Sequence, residues 1–243
     1  FNNPTTNITT TPMKKLILAA FALTTAASVF AQGTIYLGNR FTGTPATTTH
    51  IYAPLSPTDM EAIIGMASND KPAGVTDFGG RALIGASGLN AQYGATTTFA
   101  QYIAAVGANV PVDGLQPVGQ STTFRTGAGV GFMREITSTL SGTGFEEGAT
   151  GPFTFSIVAW DNSSGLYPTW VEAKPAWEAR LIAAGMMNPF TINLLGGGIM
   201  PPTFPNQVGG VLTSFNLYFV PEPGSFALLG LGAAALLIFR RRK

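Results

Sequence analysis

The chain contains no cysteine and a single histidine, His50, among its 243 residues. Without thiols there is no disulfide framework and no thiolate metal site, and one imidazole excludes a histidine-rich metal centre. Charge is also scarce: Asp, Glu, Lys and Arg make up 10% of the chain, against 45% hydrophobic residues. Stability must therefore come from packing. The nucleophile elbow Gly-x-Ser-x-Gly is missing, Gly85-Ala86-Ser87-Gly88-Leu89 being the nearest approach. A phosphate-binding loop is missing as well, because Gly127-Ala128-Gly129-Val130-Gly131-Phe132 lacks the final glycine and the Lys-Ser/Thr that should follow. No internal repeat of convincing period is present. Glycine (30) and proline (17) are plentiful, a composition of short strands and turns rather than of a helical bundle.

The two ends carry the most specific signals. Residues 1–12 are a Thr/Asn/Pro-rich run without methionine, and Met13 is followed at once by Lys14-Lys15 and an apolar stretch from Leu16 to about Ala27. This is the pattern of a secretory leader, with residues 1–12 read as an upstream extension. Val29 and Ala31 place small residues at −3 and −1 of a cleavage site, so the mature chain is expected to begin at Gln32; a cut after Ala27 is a minor alternative. At the other end, Val220-Pro221-Glu222-Pro223 precedes sixteen residues without charge, Gly224 to Phe239, and then Arg240-Arg241-Arg242-Lys243. The two prolines cannot both sit inside a regular helix, so this joint reads as extended and exposed. As a helix the apolar run would span roughly 24 Å at ~1.5 Å per residue, short for a bilayer core of about 30 Å. Its Leu, Ile and Phe residues contribute about −2.5 to −5 kcal/mol to insertion, a weak anchor. The terminal cations hold that end on the cytoplasmic side, which places everything before Val220 outside.

A Pro-Glu-Pro motif, a short apolar helix and an Arg-rich end, in that order, resemble the PEP-CTERM sorting signal. The likeness covers about a tenth of the chain. It implies export, here through the Sec translocon, recognition by an exosortase (a membrane-embedded cysteine transpeptidase) and removal of the tail. It further implies a Gram-negative producer of exopolysaccharide or biofilm matrix, with the protein passing from an inner-membrane-anchored intermediate to the cell surface or matrix.

Between the signals lie residues 32–219, a length that suits one domain. This body keeps seven of the thirteen Lys and Arg and eleven of the twelve Asp and Glu, leaving it four negative, so a basic nucleic-acid surface is not supported. Strands are expected at 33–39, 50–52, 81–85, within 91–106, at 120–126 and at 130–139. The clearest is 153–160, where Phe153, Phe155, Ile157 and Ala159 alternate with Thr154, Ser156, Val158 and Trp160. It runs into the turn Asp161-Asn162-Ser163-Ser164-Gly165. Val211, Thr213, Phe215, Leu217 and Phe219 share one side of a last strand, 211–220. Two short helices are expected, at 57–66 after the Ser56-Pro57-Thr58-Asp59 start signal and at 175–187 with Trp177, Leu181 and Ala184 on one side. The expected fold is mostly β, an antiparallel β-sandwich-like ectodomain with one or two short helices, plus a C-terminal transmembrane helix.

Candidate chemistry in the body is sparse. His50, after three threonines, has the setting of an ordinary strand or loop residue. Glu146-Glu147 are neighbours, which on an extended chain point apart, while Glu135 with Asp161 could serve as a glycosidase pair only if the fold joined them. Asp161 and Asn162 suit a turn better than a calcium loop, and Asn162-Ser163-Ser164 fits a glycosylation acceptor pattern, which is weak evidence in a bacterium. Trp160, Tyr167, Trp170 and Trp177 cluster within eighteen positions, where exposed rings would suit sugar faces and buried rings would form core. No catalytic residue, metal ligand or cofactor site is assigned. The sequence therefore leads first to a non-enzymatic exported surface or matrix protein, second to a carbohydrate-binding module using those four aromatics, and last to a polysaccharide-modifying enzyme.

Overall fold

A computed structural model describes residues 32–89, 92–208 and 211–221. The expected leader with Val29 and Ala31, the sorting residues Glu222 and Pro223, the apolar run and the basic end from Arg240 through Arg241 and Arg242 to Lys243 lie outside the described residues. Among the described residues no helix is long and apolar enough to cross a membrane. They are mostly β: β1 (Thr34–Leu37), β2 (Arg40–Phe41), β3 (Thr47–Thr48), β4 (Ile51–Tyr52), β5 (Ile64–Gly65), β6 (Thr98–Val106), β7 (Gln116–Thr122), β8 (Ile136–Thr139), β9 (Thr150–Asp161), β10 (Ala184–Met186), β11 (Phe190–Leu194) and β12 (Ser214–Asn216). Among the described residues one α-helix, α1, spans Trp170–Glu178.

The long strand β9 organises the rest. One edge pairs antiparallel with β6 from Thr98 opposite Asp161 to Val106 opposite Phe153, and β7 continues the sheet beyond β6. The other edge is shared by β10, opposite Val158–Trp160, and β11, opposite Thr150–Phe155. Between Met186 and Phe190 the partner chain gains one residue over β9, at Asn188-Pro189, where proline has no N–H to give the ladder. Ser156 closes the gap by donating its hydroxyl to the Met187 carbonyl at 2.7 Å.

Alternation along β9 divides two cores. Phe153, Phe155, Ile157 and Ala159 join Ala100, Tyr102 and Ala104 of β6 in an inner cluster, completed by Ile35 and Leu37 of β1, Ile51 of β4, and Phe215 and Leu217. Val158 and Trp160 face the other way, with Ile103, onto Trp170, Ala173, Ala176 and Trp177 of α1. Burial on both faces explains why nine consecutive residues of β9 are buried. Each large apolar side chain in these clusters contributes about 1.5–3 kcal/mol. The layer against the inner face is assembled from pieces, the pair β1–β8 and the three-stranded β4–β12–β5, rather than from one continuous second sheet. Pairing between the named strands is antiparallel except β4 with β12.

Several expected elements move. The helix over 57–66 does not form, because its backbone groups are taken by distant partners. The Asp59 carboxylate accepts from the Leu55 and Glu61 amides, Asn216 accepts from the Ile63 amide and donates to the Glu61 carbonyl, and Ile64–Gly65 pair with β12. The second helix starts five residues before Pro175, at a capping box in which the Thr169 amide and hydroxyl both donate to Glu172 (2.9 and 2.8 Å). It ends at Glu178, Arg180 turns left-handed at φ 62°, Leu181 is exposed, and Ala184 belongs to β10 instead. The strand expected at 81–85 reduces to a single bridge, Leu83 with Tyr52. That at 120–126 lies earlier, as β7, and that at 130–139 shrinks to β8 behind a 3-10 turn at Gly127–Gly129.

Candidate functional site

The described chain ends on a segment tied down by partners far away in sequence. After β12, the Leu217 amide donates to the Tyr52 carbonyl (2.9 Å), Tyr218 exchanges both backbone bonds with Ala184 (2.9 and 3.1 Å), and the Phe219 amide donates to the Asp59 carbonyl (2.7 Å). The Trp177 indole donates to the Tyr218 carbonyl at 2.9 Å and meets its ring edge-on at 5.3 Å. Sides alternate here as the sequence leads one to expect: Phe215, Leu217 and Phe219 pack on the inner cluster, Tyr218 and Val220 on the outer. Val211, placed on the same side by the pattern, is exposed. Pro221 is exposed too. The fold therefore grips the chain as far as Val220 and lets go at the first proline of the Pro-Glu-Pro motif.

The four aromatics proposed as glycan contacts are brought together, but inward, and that expectation is corrected. Trp160, Trp170 and Trp177 are 0%, 3% and 7% exposed, at ring separations of 5.7 and 5.8 Å. Trp160 donates its N–H to the Tyr167 carbonyl at 2.7 Å, and Tyr167 itself is half-buried against the same cluster. A sugar-stacking platform needs free ring faces, and these are spent on packing α1 to the sheet.

Three of the four candidate carboxylates, Glu135, Glu146 and Asp161, are likewise committed. Asp161 accepts from the Ser163 amide at 2.8 Å; burial pushes its pKa up, and the Ser163 hydrogen bonds partly offset this. Glu135 pairs with Arg125 at 3.0 Å and accepts from the Tyr36 hydroxyl at 3.2 Å, and Glu146 accepts from the Gly144 amide. Glu135 and Asp161 have no partner in common among these contacts. Among the described residues no group of three His, Cys, Asp or Glu side chains could hold a metal ion.

One constellation escaped the sequence altogether. His50 Nδ1 lies 2.7 Å from Asp70 Oδ1, and Asp70 Oδ2 accepts from the Ser214 hydroxyl at 2.7 Å and the Ala67 amide at 2.5 Å. Ser214 Oγ in turn accepts the His50 amide at 2.6 Å. The residue types are those of a serine hydrolase, but the order is wrong. There the imidazole stands between hydroxyl and carboxylate; here the carboxylate stands between the other two, so no imidazole receives the Ser214 proton. All three residues are buried, and the network works as a strut joining β4, the 67–70 turn and β12. No local signal could have revealed it, because 20 and 144 residues separate Asp70 from its two partners.

Comparison with known proteins bears on the end of the chain alone. No curated protein and no solved structure matches it. Residues 219–243 match the family described as the PEP-CTERM protein-sorting motif. That match opens on Phe219, the residue bonded to Asp59, so the folded body and the motif share Phe219, Val220 and Pro221. The motif marks an exported protein that is membrane-associated before an exosortase processes it. This chain is thus a PEP-CTERM domain-containing protein.

Proposed function

We propose that the protein is a non-enzymatic component of the cell surface or extracellular matrix of a Gram-negative bacterium. It crosses the inner membrane through the Sec translocon behind a leader cut after Ala31. Residues 224–239 then anchor it, Arg240–Lys243 stay cytoplasmic, and an exosortase severs the chain within Val220–Pro223. The observation that carries this reading is the coincidence of the motif with the end of the gripped chain: Val220 still packs on the outer cluster while Pro221 is exposed. A processing enzyme binds its substrate as extended backbone, and proline-flanked residues immediately beyond a packed strand offer that. Support for a non-catalytic body comes from the lone histidine, whose Nδ1 is spent on Asp70 in a buried strut, and from the separate engagements of Glu135 and Asp161.

The test is the intact mass of the protein recovered from the envelope and from the medium of the producing cell. A species beginning at Gln32 and ending within Val220–Pro223, free or bearing an added group, is expected. A chain that keeps Phe226–Lys243 in every fraction overturns the processing step.

A further inference from the structure

A cavity of about 390 Å³ opens between β1–β2 and the 204–207 segment, and none of its lining residues belongs to the sorting motif. Its volume falls in the range of small-molecule sites. The apolar wall is a preassembled aromatic group: Tyr36 stacks on Phe204 at 4.8 Å, and Phe41 meets both rings edge-on at 6.1 and 6.0 Å. Tyr36 and Phe204 are half-buried, so unlike the three tryptophans they are not enclosed.

The rest of the lining is polar and carries net positive charge, two guanidinium groups against one carboxylate, on a body that is four negative. Glu135 is already engaged through one oxygen by both Arg125 and Tyr36. Arg40 is different. It is exposed, lies 5.4 Å from the Phe132 ring centroid, and makes no ion pair among the described residues. A guanidinium braced on an aromatic ring is preorganised for a carboxylate, which it can hold with two parallel hydrogen bonds. Asn206 supplies an independent observation. Its side-chain N–H donates to the Pro45 carbonyl at 2.6 Å, which fixes the amide orientation, and its Oδ1 is buried without a hydrogen-bond donor among the described residues. An unpaired buried acceptor is unfavourable, and a ligand hydroxyl would supply its missing donor.

We propose that this cavity binds an acidic saccharide, its ring against the Tyr36–Phe204 wall, its carboxylate on Arg40, and a ring hydroxyl donating to Asn206 Oδ1. An apolar ligand would leave the Arg40 guanidinium and the Asn206 oxygen unmatched, and a bare anion would leave the aromatic wall unused. None of these residues belongs to the processing segment, so this inference and the sorting reading stand or fall separately.

The test is calorimetric titration of the full chain in detergent micelles with trisaccharides of galacturonate and of glucuronate, their methyl esters, and inorganic phosphate. At least one free acid is expected to bind, its methyl ester at least tenfold more weakly, and phosphate not to compete at equal concentration. Arg40→Ala, at an exposed position, is expected to weaken binding at least tenfold with an unchanged circular dichroism spectrum. Failure of both acids to bind at millimolar concentration overturns the proposal. So does equal binding of acid and ester, equal competition by phosphate, or undiminished affinity in folded Arg40→Ala.

Discussion

The amide of Phe219 donates to the carbonyl of Asp59 at 2.7 Å, and the carboxylate of that aspartate is gripped by both arms of Arg81, each at 2.9 Å. The last backbone hydrogen bond before Pro221 thus rests on a residue held by a buried, two-pronged ion pair. The side chains of Arg81 and Asp59 are only 3% and 7% exposed. Breaking such a pair leaves one charge uncompensated, so Arg81→Ala is expected to lower unfolding stability by about 3–5 kcal/mol. Urea denaturation measures this, and a loss within 1 kcal/mol would show that the pair does not anchor the C-terminal strand.

The same pair sets an acid limit. Burial pushes the Asp59 carboxyl up, but the Arg81 hydrogen bonds, the Leu55 and Glu61 amides and the Arg81 charge together bring it below the ordinary 3.8. A carboxylate depressed on folding contributes stability that is present above its unfolded pKa and lost as pH falls through the folded one. Stability should therefore drop below about pH 4. Asp59→Asn, already weakened at neutral pH, should show a flatter acid limb; an identical slope in both proteins would assign the acid loss elsewhere.

Asp161 has the opposite sign. Its pKa is raised by burial, with the Ser163 hydrogen bonds opposing, so the folded state favours its protonated form and its charge costs stability at neutral pH. That cost is relieved as pH falls through the raised pKa. Asp161→Asn keeps an acceptor for the Ser163 amide and should leave stability at pH 7 unchanged or higher. A loss of more than about 1 kcal/mol, beyond the usual range of a single hydrogen bond's net worth, would mean that the negative charge itself is needed.

Cutting the chain should discriminate sharply by position. A protein ending at Pro221 keeps Phe215 and Leu217, which are 1% and 0% exposed; one ending at Val211 loses both, together with the Ser214 link to Asp70. Two such side chains represent about 3–6 kcal/mol, a large part of the 5–15 kcal/mol available to a domain. The longer protein is expected to unfold cooperatively in urea and the shorter one to lack near-ultraviolet dichroism. A folded protein ending at Val211 would make β12 dispensable.

Removing the motif is expected to affect traffic and not the fold. Glu222→Ala, or deletion of Pro221–Pro223, should leave an unprocessed chain in the membrane fraction with the parent's urea midpoint. If these variants mature and reach the medium like the parent, release takes another route.

The aromatic cluster is expected to behave as core. Trp177→Ala removes a buried indole that bridges α1 to Tyr218 and should cost about 3–5 kcal/mol. All three tryptophans of the chain lie in this cluster, so the parent's intrinsic fluorescence reports its unfolding directly. A loss below about 1 kcal/mol would return Trp177 to the surface.

What the sequence determined by itself is whatever depends on neighbours along the chain. The order of Pro221-Glu222-Pro223, apolar run and basic end is a property of consecutive residues, and it carried the sorting assignment. The period-two alternation of Phe153–Trp160 separated the inner from the outer core, since successive side chains of a strand must point to opposite faces. The capping box at Thr169 and Glu172 is equally local, although the helix expected from the pattern of Trp177, Leu181 and Ala184 starts after it, at 175. Tertiary structure decided the rest. Residues 57–66 carry good helix-start chemistry, yet Asn216, more than 150 residues away, takes their backbone groups into a different arrangement. Whether Trp160, Trp170 and Trp177 offered their faces or hid them depended on α1 folding over β9. The His50–Asp70–Ser214 strut and the Tyr36–Phe204–Arg40 cavity each join segments more than a hundred residues apart. Periodicity and capping act over a few residues, whereas burial and hydrogen-bond partnership are settled by which distant segments meet.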